Sequence, residues 1–488
     1  MAFDREKISQ SYQNFIIRKI YFIMYKFLKG NTFIFIYLLY LIIVIFNLNS
    51  CYFWDNIAIT SKEAHLFFDG DITNIFTQSK QPFIGSVTAA LWSLFGYKLW
   101  VSHVLILIFS FFLVYNTQKL VELLKLNQYT GLIILIPLAE PTVLSQILIA
   151  SPDVLLLAFF VMGLRALLEK SKIQLAVSII FLGLISNRGM FASAVLFLTY
   201  FVVNFIYTKE KAFFAWIYSN AVPILAVVIS LLYNFILLTA RKWEIVTPEY
   251  SNHYLPPASI NQIIRHGAEF SLRLLENGRI FMFGFAALVL YYFVKSKRKL
   301  TDYERTLLIV FAAHLSIYVV FIFISSMPFS ARYFLPFYFT LSLLIFSLLQ
   351  RTILNKRIKL IAALILLFQF TGNLWVYPDV VAKSWDCTLA HYPYYELRNE
   401  CFSYIDEKQI DYADVSGGFC FYSDRKYVEL LEGNKLVNSE QNRKYYIYSN
   451  ISNPTDEEMA LFSDKTKWEV EKSFSKWPVK VVLYRQKK

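Results

Sequence analysis

Apolar runs of about 20 residues, the length that crosses the hydrocarbon core of a bilayer, recur along this chain from Thr32–Leu48 to a last one centred near residue 367. Others centre near residues 107, 140, 160, 180, 198, 228, 286, 315 and 342. Only 17 % of the 488 residues are charged, against roughly 25 % in soluble domains. That balance excludes a disordered chain, a coiled coil and an ordinary cytosolic enzyme. The expected fold class is a polytopic α-helical membrane protein of about 11 transmembrane helices.

Charge placement orients such a chain. With the N-terminus in the cytoplasm, the inner segments hold 22 Lys/Arg, including the Lys295–Arg305 and Arg351–Lys359 clusters, and the outer loops hold 10. An odd number of spans then puts the segment after Pro378 outside. The basic stretch before Thr32 is too long for a signal peptide's n-region and no small-residue cleavage site follows, so the first run is expected to be a retained anchor. The net charge of +13 is therefore a matter of topology and of anionic membrane lipids, and no nucleic-acid partner is needed. All four cysteines, Cys51, Cys387, Cys401 and Cys420, fall in outer segments. That suits an oxidising compartment and makes Cys387–Cys401 the preferred disulfide among three possible pairings.

Residues 1–377 are expected to form the membrane domain and 378–488 a small extracytoplasmic α/β domain. In the first outer loop, Pro82–Phe95 is apolar but too short to span, which predicts an interfacial helix. In the Arg241–Arg279 loop, Ile260, Ile263, Ile264 and Ala268 share one face and Gln262, Arg265 and Glu269 another, which predicts a second. The tail reads as a helix over Tyr395–Glu407, short strands at Phe419–Tyr422, Tyr445–Tyr448 and Val479–Tyr484, and a helix started by a capping box at Thr455–Glu458.

Ionisable groups near a membrane are candidates for function, and here they gather at the outer side. Asp55 follows the first span in Cys51-Tyr52-Phe53-Trp54-Asp55, with Glu63, His65, Asp69 and Asp71 beyond it. Glu140 ends the third span, Asp153 opens the fourth in Ser-Pro-Asp, Arg188 lies in Ser-Asn-Arg-Gly, and Arg332 and Tyr333 open the tenth in Arg-Tyr-Phe-Leu-Pro. A carboxylate close to two arginines can deprotonate a hydroxyl while the arginines hold a phosphate leaving group. Each also has an ordinary reading: Asp153 as a helix-terminal carboxylate, Arg332 as a snorkelling side chain, and the loop carboxylates as a solvated face. His65 with Asp69 and Asp71 is a weak metal set. No metal site is assigned and no cofactor is expected, although a divalent ion stays open.

In order and spacing these motifs (Trp54-Asp55, a Pro-preceded helix ending Leu94-Phe95-Gly96, Ser-Pro-Asp, Ser-Asn-Arg and Arg332-Tyr-Phe-Leu-Pro336) resemble the GT-C fold glycosyltransferases that use polyprenyl-phosphate sugars. The branches they bring closest are the bacterial protein O-mannosyltransferases and the lipid A aminoarabinose transferases. The resemblance covers most of residues 30–377. It implies an inverting transferase at the outer face of a bacterial inner or plasma membrane, acting in cell-envelope glycosylation on a glycan, lipid or protein acceptor. It implies that Asp55 is the catalytic base, that Arg332, Tyr333 and Arg188 meet the donor phosphate, and that Asp153 shapes the acceptor side. Glu63, His65, His253 and His266 are further candidates for contacting acceptor or sugar. Many relatives carry Asp-Glu where this chain has Asp55-Asn56. Two alternatives stand beside this reading. One is an oligosaccharide polymerase or ligase with a diphosphate-linked donor, for which the five Lys/Arg of the Arg241–Arg279 loop speak. The other is a lipid or solute transporter, against which stand the rim position of the charges and the lack of an internal repeat.

Overall fold

The computed structural model describes residues 34–71, 74–75, 82–126, 130–206, 213–240, 257–325, 329–352, 354, 357–379, 381, 384–431, 435–439, 443–454 and 456–487. Helices run α1 Ile34–Ile45, α2 Glu63–Phe68, α3 Pro82–Phe95, α4 Trp100–Leu123, α5 Thr130–Leu138, α6 Pro141–Leu148, α7 Asp153–Glu169 and α8 Lys172–Ile185. They continue as α9 Asn187–Phe201, α10 Phe213–Ser219, α11 Ala221–Ala240, α12 Ile260–Leu275, α13 Arg279–Lys295, α14 Asp302–Ile324, α15 Leu335–Leu349 and α16 Ile358–Thr371. Among the described residues five helices are long and apolar enough to cross a membrane, or six if the α12–α13 pair, bent by 85°, counts as one span.

Burial sorts these helices by the solvent their sequences were built for. Every residue of α15 is buried, and in α7 only Arg165 and Glu169 are not, so these helices, apolar all round, form the centre. By contrast α14 leaves Val320, Phe323 and Ile324 exposed, and α11 does the same with Leu225, Leu231 and Phe235. A polypeptide in water would bury such rows, whereas acyl chains solvate them. Helix α3 has the bounds that its sequence predicts. In α12 the face turned to the protein carries His266, Phe270 and Arg273, while Ile260 and Ile264 are exposed.

The bend between α12 and α13 rests on a buried ion network. Glu140 caps α6 by accepting from the Thr142 and Val143 amides, and the Arg279 Nη2 stands 2.6 Å from its carboxylate. Arg279 lies 4.0 Å from the centre of the Tyr338 ring, and Arg273 pairs with Glu276 at 2.7 Å. Gly278 turns this corner at φ +83°, with Phe368 O so close that a Cβ would sit 2.2 Å from it. Breaking a buried pair from one side strands the other charge. Arg279→Met is therefore expected to cost about 3–5 kcal/mol, seen as a lower unfolding temperature in detergent. Adding Glu140→Gln should recover part of the loss.

The tail forms helix α17 Tyr394–Glu407 and a four-stranded sheet in the order β1-β4-β6-β5. The strands are β1 Val415–Gly417, β4 Tyr445–Ser449, β5 Trp468–Lys476 and β6 Val479–Gln486, with a separate pair β2 Ser423–Asp424 and β3 Leu436–Val437. β1 pairs parallel with β4 and the other neighbours pair antiparallel. The strand expected at Phe419–Tyr422 is instead a turn, in which the Phe421 amide donates to Gly418 O at 2.7 Å. β1 ends at Gly417, where a Cβ would sit 2.7 Å from that of Phe421, so the turn packs closely over the strand end. The longest strand, β5, was not foreseen because Lys472 and Lys476 interrupt the apolar row of Trp468, Val470 and Phe474, and its register shifts between Val470 and Lys472. Helix α19 spans Asp456–Ser463, but Thr455, needed for the expected capping box, lies outside the described residues.

The expected Cys387–Cys401 disulfide is corrected: all four cysteines are thiols. Cys387 Sγ lies 3.3 Å from Ser330 Oγ, and Cys420 Sγ 2.7 Å from Ser452 Oγ. Burial pushes the Cys51 thiol up to about 11 and those of Cys401 and Cys420 up to about 12, so none is a ready nucleophile.

Candidate active site

Four helix starts converge at one end of the bundle. Asp153 is the first residue of α7, and its amide is held by Ser151 Oγ at 3.2 Å. Arg188 lies in the first turn of α9, where Ser186 Oγ caps the Gly189 amide at 3.0 Å. Gly189 is required there because any Cβ would meet Leu182 O at 2.0 Å. Arg332 sits in a 3₁₀ turn, Ala331–Phe334, just ahead of α15, and the neighbouring Tyr333 carbonyl accepts from Tyr318 OH at 2.6 Å. Asp55 begins the helical segment that runs on as a π-helix over Ile57–Lys62, directly after Trp54, which has a left-handed φ of 48°, a conformation that costs roughly 1–2 kcal/mol outside glycine.

The surroundings hold that strained segment in place. Asn56 is buried and donates to Ile149 O at 2.7 Å, at the end of α6. The Asn56 amide thus anchors this segment to the end of α6. The Tyr52 amide donates to Val428 O at 2.9 Å in the tail helix α18 Arg425–Val428. The Phe53 ring stacks on His391, also in the tail, at 4.8 Å. Membrane helices and tail thus grip the Asp55 segment from both sides.

The resulting cluster centres on Arg332. Its Nη2 donates to Asp55, its Nη1 stands 3.0 Å from Asp386, and its Nε is 3.8 Å from Asp153. Arg188 completes the group, 2.9 Å from Asp153. Tyr333 lies between the two guanidinium groups, its ring centre 4.7 Å from Arg188 and 5.7 Å from Arg332. Exposure divides these residues by role. The side chains of Arg332, Asp153 and Asp386 are 6 %, 4 % and 1 % exposed, whereas Asp55 is 40 % and Arg188 27 % exposed. An incoming molecule therefore meets one carboxylate and one guanidinium, with the rest of the charges behind them.

Asp386 is the member that sequence reasoning missed. It lies in the tail, in a 3₁₀ turn over Trp385–Cys387, and its carbonyl accepts from Ser145 Oγ at 2.6 Å and Gln146 Nε2 at 2.8 Å. Burial pushes its carboxyl up, against the pull of Arg332. His391 locks the same segment: its Nδ1 donates to Thr388 O at 2.6 Å and to Trp385 O at 3.1 Å. Burial holds the ring down to about 4. Below about pH 6.5 the unfolded chain takes up a proton that the folded ring refuses. Its contribution to stability is thus complete above that pH and falls as pH drops toward 4. The decrease in unfolding temperature between pH 7 and pH 5 is expected to shrink in His391→Gln.

The other candidates lie apart. His65 sits in an aromatic pocket of Trp92, Tyr97 and Tyr427, with its ring nitrogens at Ser61 O and Tyr97 OH, and burial lowers its proton affinity. Glu63 is buried at the start of α2 and packs on Gly85 of α3. The His266 ring packs 4.8 Å from Phe329, which stacks on Phe334 just past the two arginine-facing residues. His253 lies outside the described residues. Among the described residues, no group of three or more His, Cys, Asp or Glu side chains could hold a metal ion.

This bundle of apolar helices, with a charged cluster at one end and a small α/β domain, has a GT-C type of fold. Solved structures similar to it include ArnT from Cupriavidus metallidurans bound to undecaprenyl phosphate, at a TM-score of 0.50 and 12 % identity, with 92 % of this chain and 97 % of that one covered. The apo state of the same protein superposes at a TM-score of 0.51 and 11 % identity, with the same coverage. At such identity the likeness is one of fold. No family model and no curated protein sequence matches the chain.

Proposed function

We propose that this chain is an inverting glycosyltransferase that moves a sugar from a polyprenyl-phosphate donor to an acceptor hydroxyl at the outer face of the membrane. The observation that carries this reading is the pairing of an accessible carboxylate, Asp55, with an accessible guanidinium, Arg188, around the buried Arg332. A fold shared with a protein that binds undecaprenyl phosphate supports the donor class. In the reaction, Asp55 takes the proton of the acceptor hydroxyl. The oxygen attacks the anomeric carbon from the face opposite the phosphate, and the sugar–phosphate C–O bond breaks with its electrons leaving on phosphate. Arg188, with Arg332 behind it, meets the charge that develops there. A phosphate leaves without needing a proton, so one carboxylate suffices, unlike the pair that glycosidases use. Tyr333 aligns the two arginines by offering both its ring face.

Each of the eleven apolar runs centres on or beside one of the helices. In this proposal each run crosses the membrane, the short ones as tilted or broken spans, with the N-terminus inside and the tail outside. The basic segments around Arg298 and Arg351 then face the cytoplasm. The acceptor is a glycan, lipid or protein of the cell envelope.

Binding of undecaprenyl phosphate to the purified full-length protein tests the donor class, since it is the product whatever the sugar. Wild type is expected to bind it. Arg188→Ala removes a charged hydrogen bond worth about 1.5–3 kcal/mol, so it should bind roughly 10–100-fold more weakly. No binding by wild type, or equal binding by Arg188→Ala, would overturn the donor assignment.

A further inference from the structure

We propose that Asp386, contributed by the α/β tail, is a positioning residue for transfer: it is the fixed counter-ion that keeps Arg332 in place when Asp55 gives up its charge to the acceptor proton. This rests on the reading of Asp55 and Arg332 given above. Arg332 is buried, and its two terminal nitrogens face different carboxylates, Asp55 on Nη2 and Asp386 on Nη1. The two partners are not equivalent. Asp55 is 40 % exposed at a helix start, whereas Asp386 is 1 % exposed and its backbone is tied to α6 through Ser145 and Gln146. When Asp55 becomes a neutral acid, Arg332 loses half of its close pairing. A buried cation without a partner is costly, and Asp386 supplies the compensation from a site that cannot move. It also competes with Asp55 for the guanidinium, so Arg332 grips the base less firmly than it would alone. The tail therefore supplies part of the reaction centre and is more than a cover over it.

Charge separates this role from a merely structural one. The cluster of Asp55, Asp153, Asp386, Arg188 and Arg332 carries one negative charge in excess. Asp386→Asn removes that excess at nearly constant shape. An anion should then bind at least as well, while transfer slows because Arg332 tightens on Asp55 and loses its fixed anchor. A folding defect would lower both together.

The test uses full-length wild type, Asp386→Asn and Asp386→Glu. Each is expressed at equal level in a deletion strain for glycan mass spectrometry, and each is purified for undecaprenyl phosphate binding. For Asp386→Asn, transfer is expected to fall roughly 10–100-fold while undecaprenyl phosphate binds as tightly as to wild type or more tightly. Asp386→Glu should restore a substantial share of transfer. Transfer by Asp386→Asn equal to wild type, or parallel loss of transfer and binding with no restoration by Glu, would overturn the role of Asp386. A different failure, in which wild type neither binds undecaprenyl phosphate nor alters any glycan, would overturn the reading of the site itself and Asp386 with it.

Discussion

Asp55→Ala is expected to lower sugar transfer by roughly 10²–10⁴-fold, the range for loss of a general base. Asp55→Asn should be nearly as inactive, because it keeps the shape of the side chain but takes no proton. Neither change should unfold the protein. Asp55 is partly exposed, and without it Arg332 still faces two buried carboxylates, Asp386 and Asp153. The comparison that decides is transfer at equal protein level, with unfolding temperature as the control. An Asp55→Asn protein that transfers at more than a tenth of the wild-type rate would remove Asp55 from the base role.

Arg332→Met is expected to do the opposite: to damage the fold as well as the chemistry. It leaves Asp386 and Asp153, both almost fully buried, without their shared cation. Removing one partner of a buried ion pair costs about 3–5 kcal/mol, so the unfolding temperature in detergent should fall well below that of Asp55→Ala. Arg332→Lys should not rescue transfer. A single ammonium cannot present separate nitrogens to carboxylates that lie on three different segments. The double change Arg332→Met with Asp386→Asn should regain stability and stay inactive, which separates the structural share of Arg332 from its chemical share. Full stability of the Arg332→Met single variant would contradict the arrangement of charges described here.

How far the sequence reaches can be judged from particular residues. Asp55, Asp153, Arg188 and Arg332 were visible because each stands at the end of an apolar run, where a charge needs a reason. Their convergence follows from helix direction, since α7, α9 and the turn ahead of α15 begin at the same end of the bundle. Asp386 was invisible for the same reason reversed: in a polar tail one more aspartate carries no signal, and its contact with Arg332 depends on how the tail seats against α6. The cysteines misled because compartment permits a disulfide but geometry decides it. His65 looked like a loop ligand because Asp69 and Asp71 follow it, while its real neighbours are Trp92 and Tyr97 at the end of α3 and Tyr427 in the tail. The turn at Gly418 shows that aromatic content alone does not make a strand when two glycines precede it.

In the proposed function this chain transfers a single sugar and Asp55 drives the step. Mass spectrometry of surface glycolipids and glycoproteins tests it in three strains: wild type, deletion, and Asp55→Ala expressed at the wild-type level. One glycan is expected to lose the same monosaccharide in both mutants, and the lost mass identifies the sugar class. A glycan profile unchanged by the deletion, or one restored in full by Asp55→Ala, would contradict it.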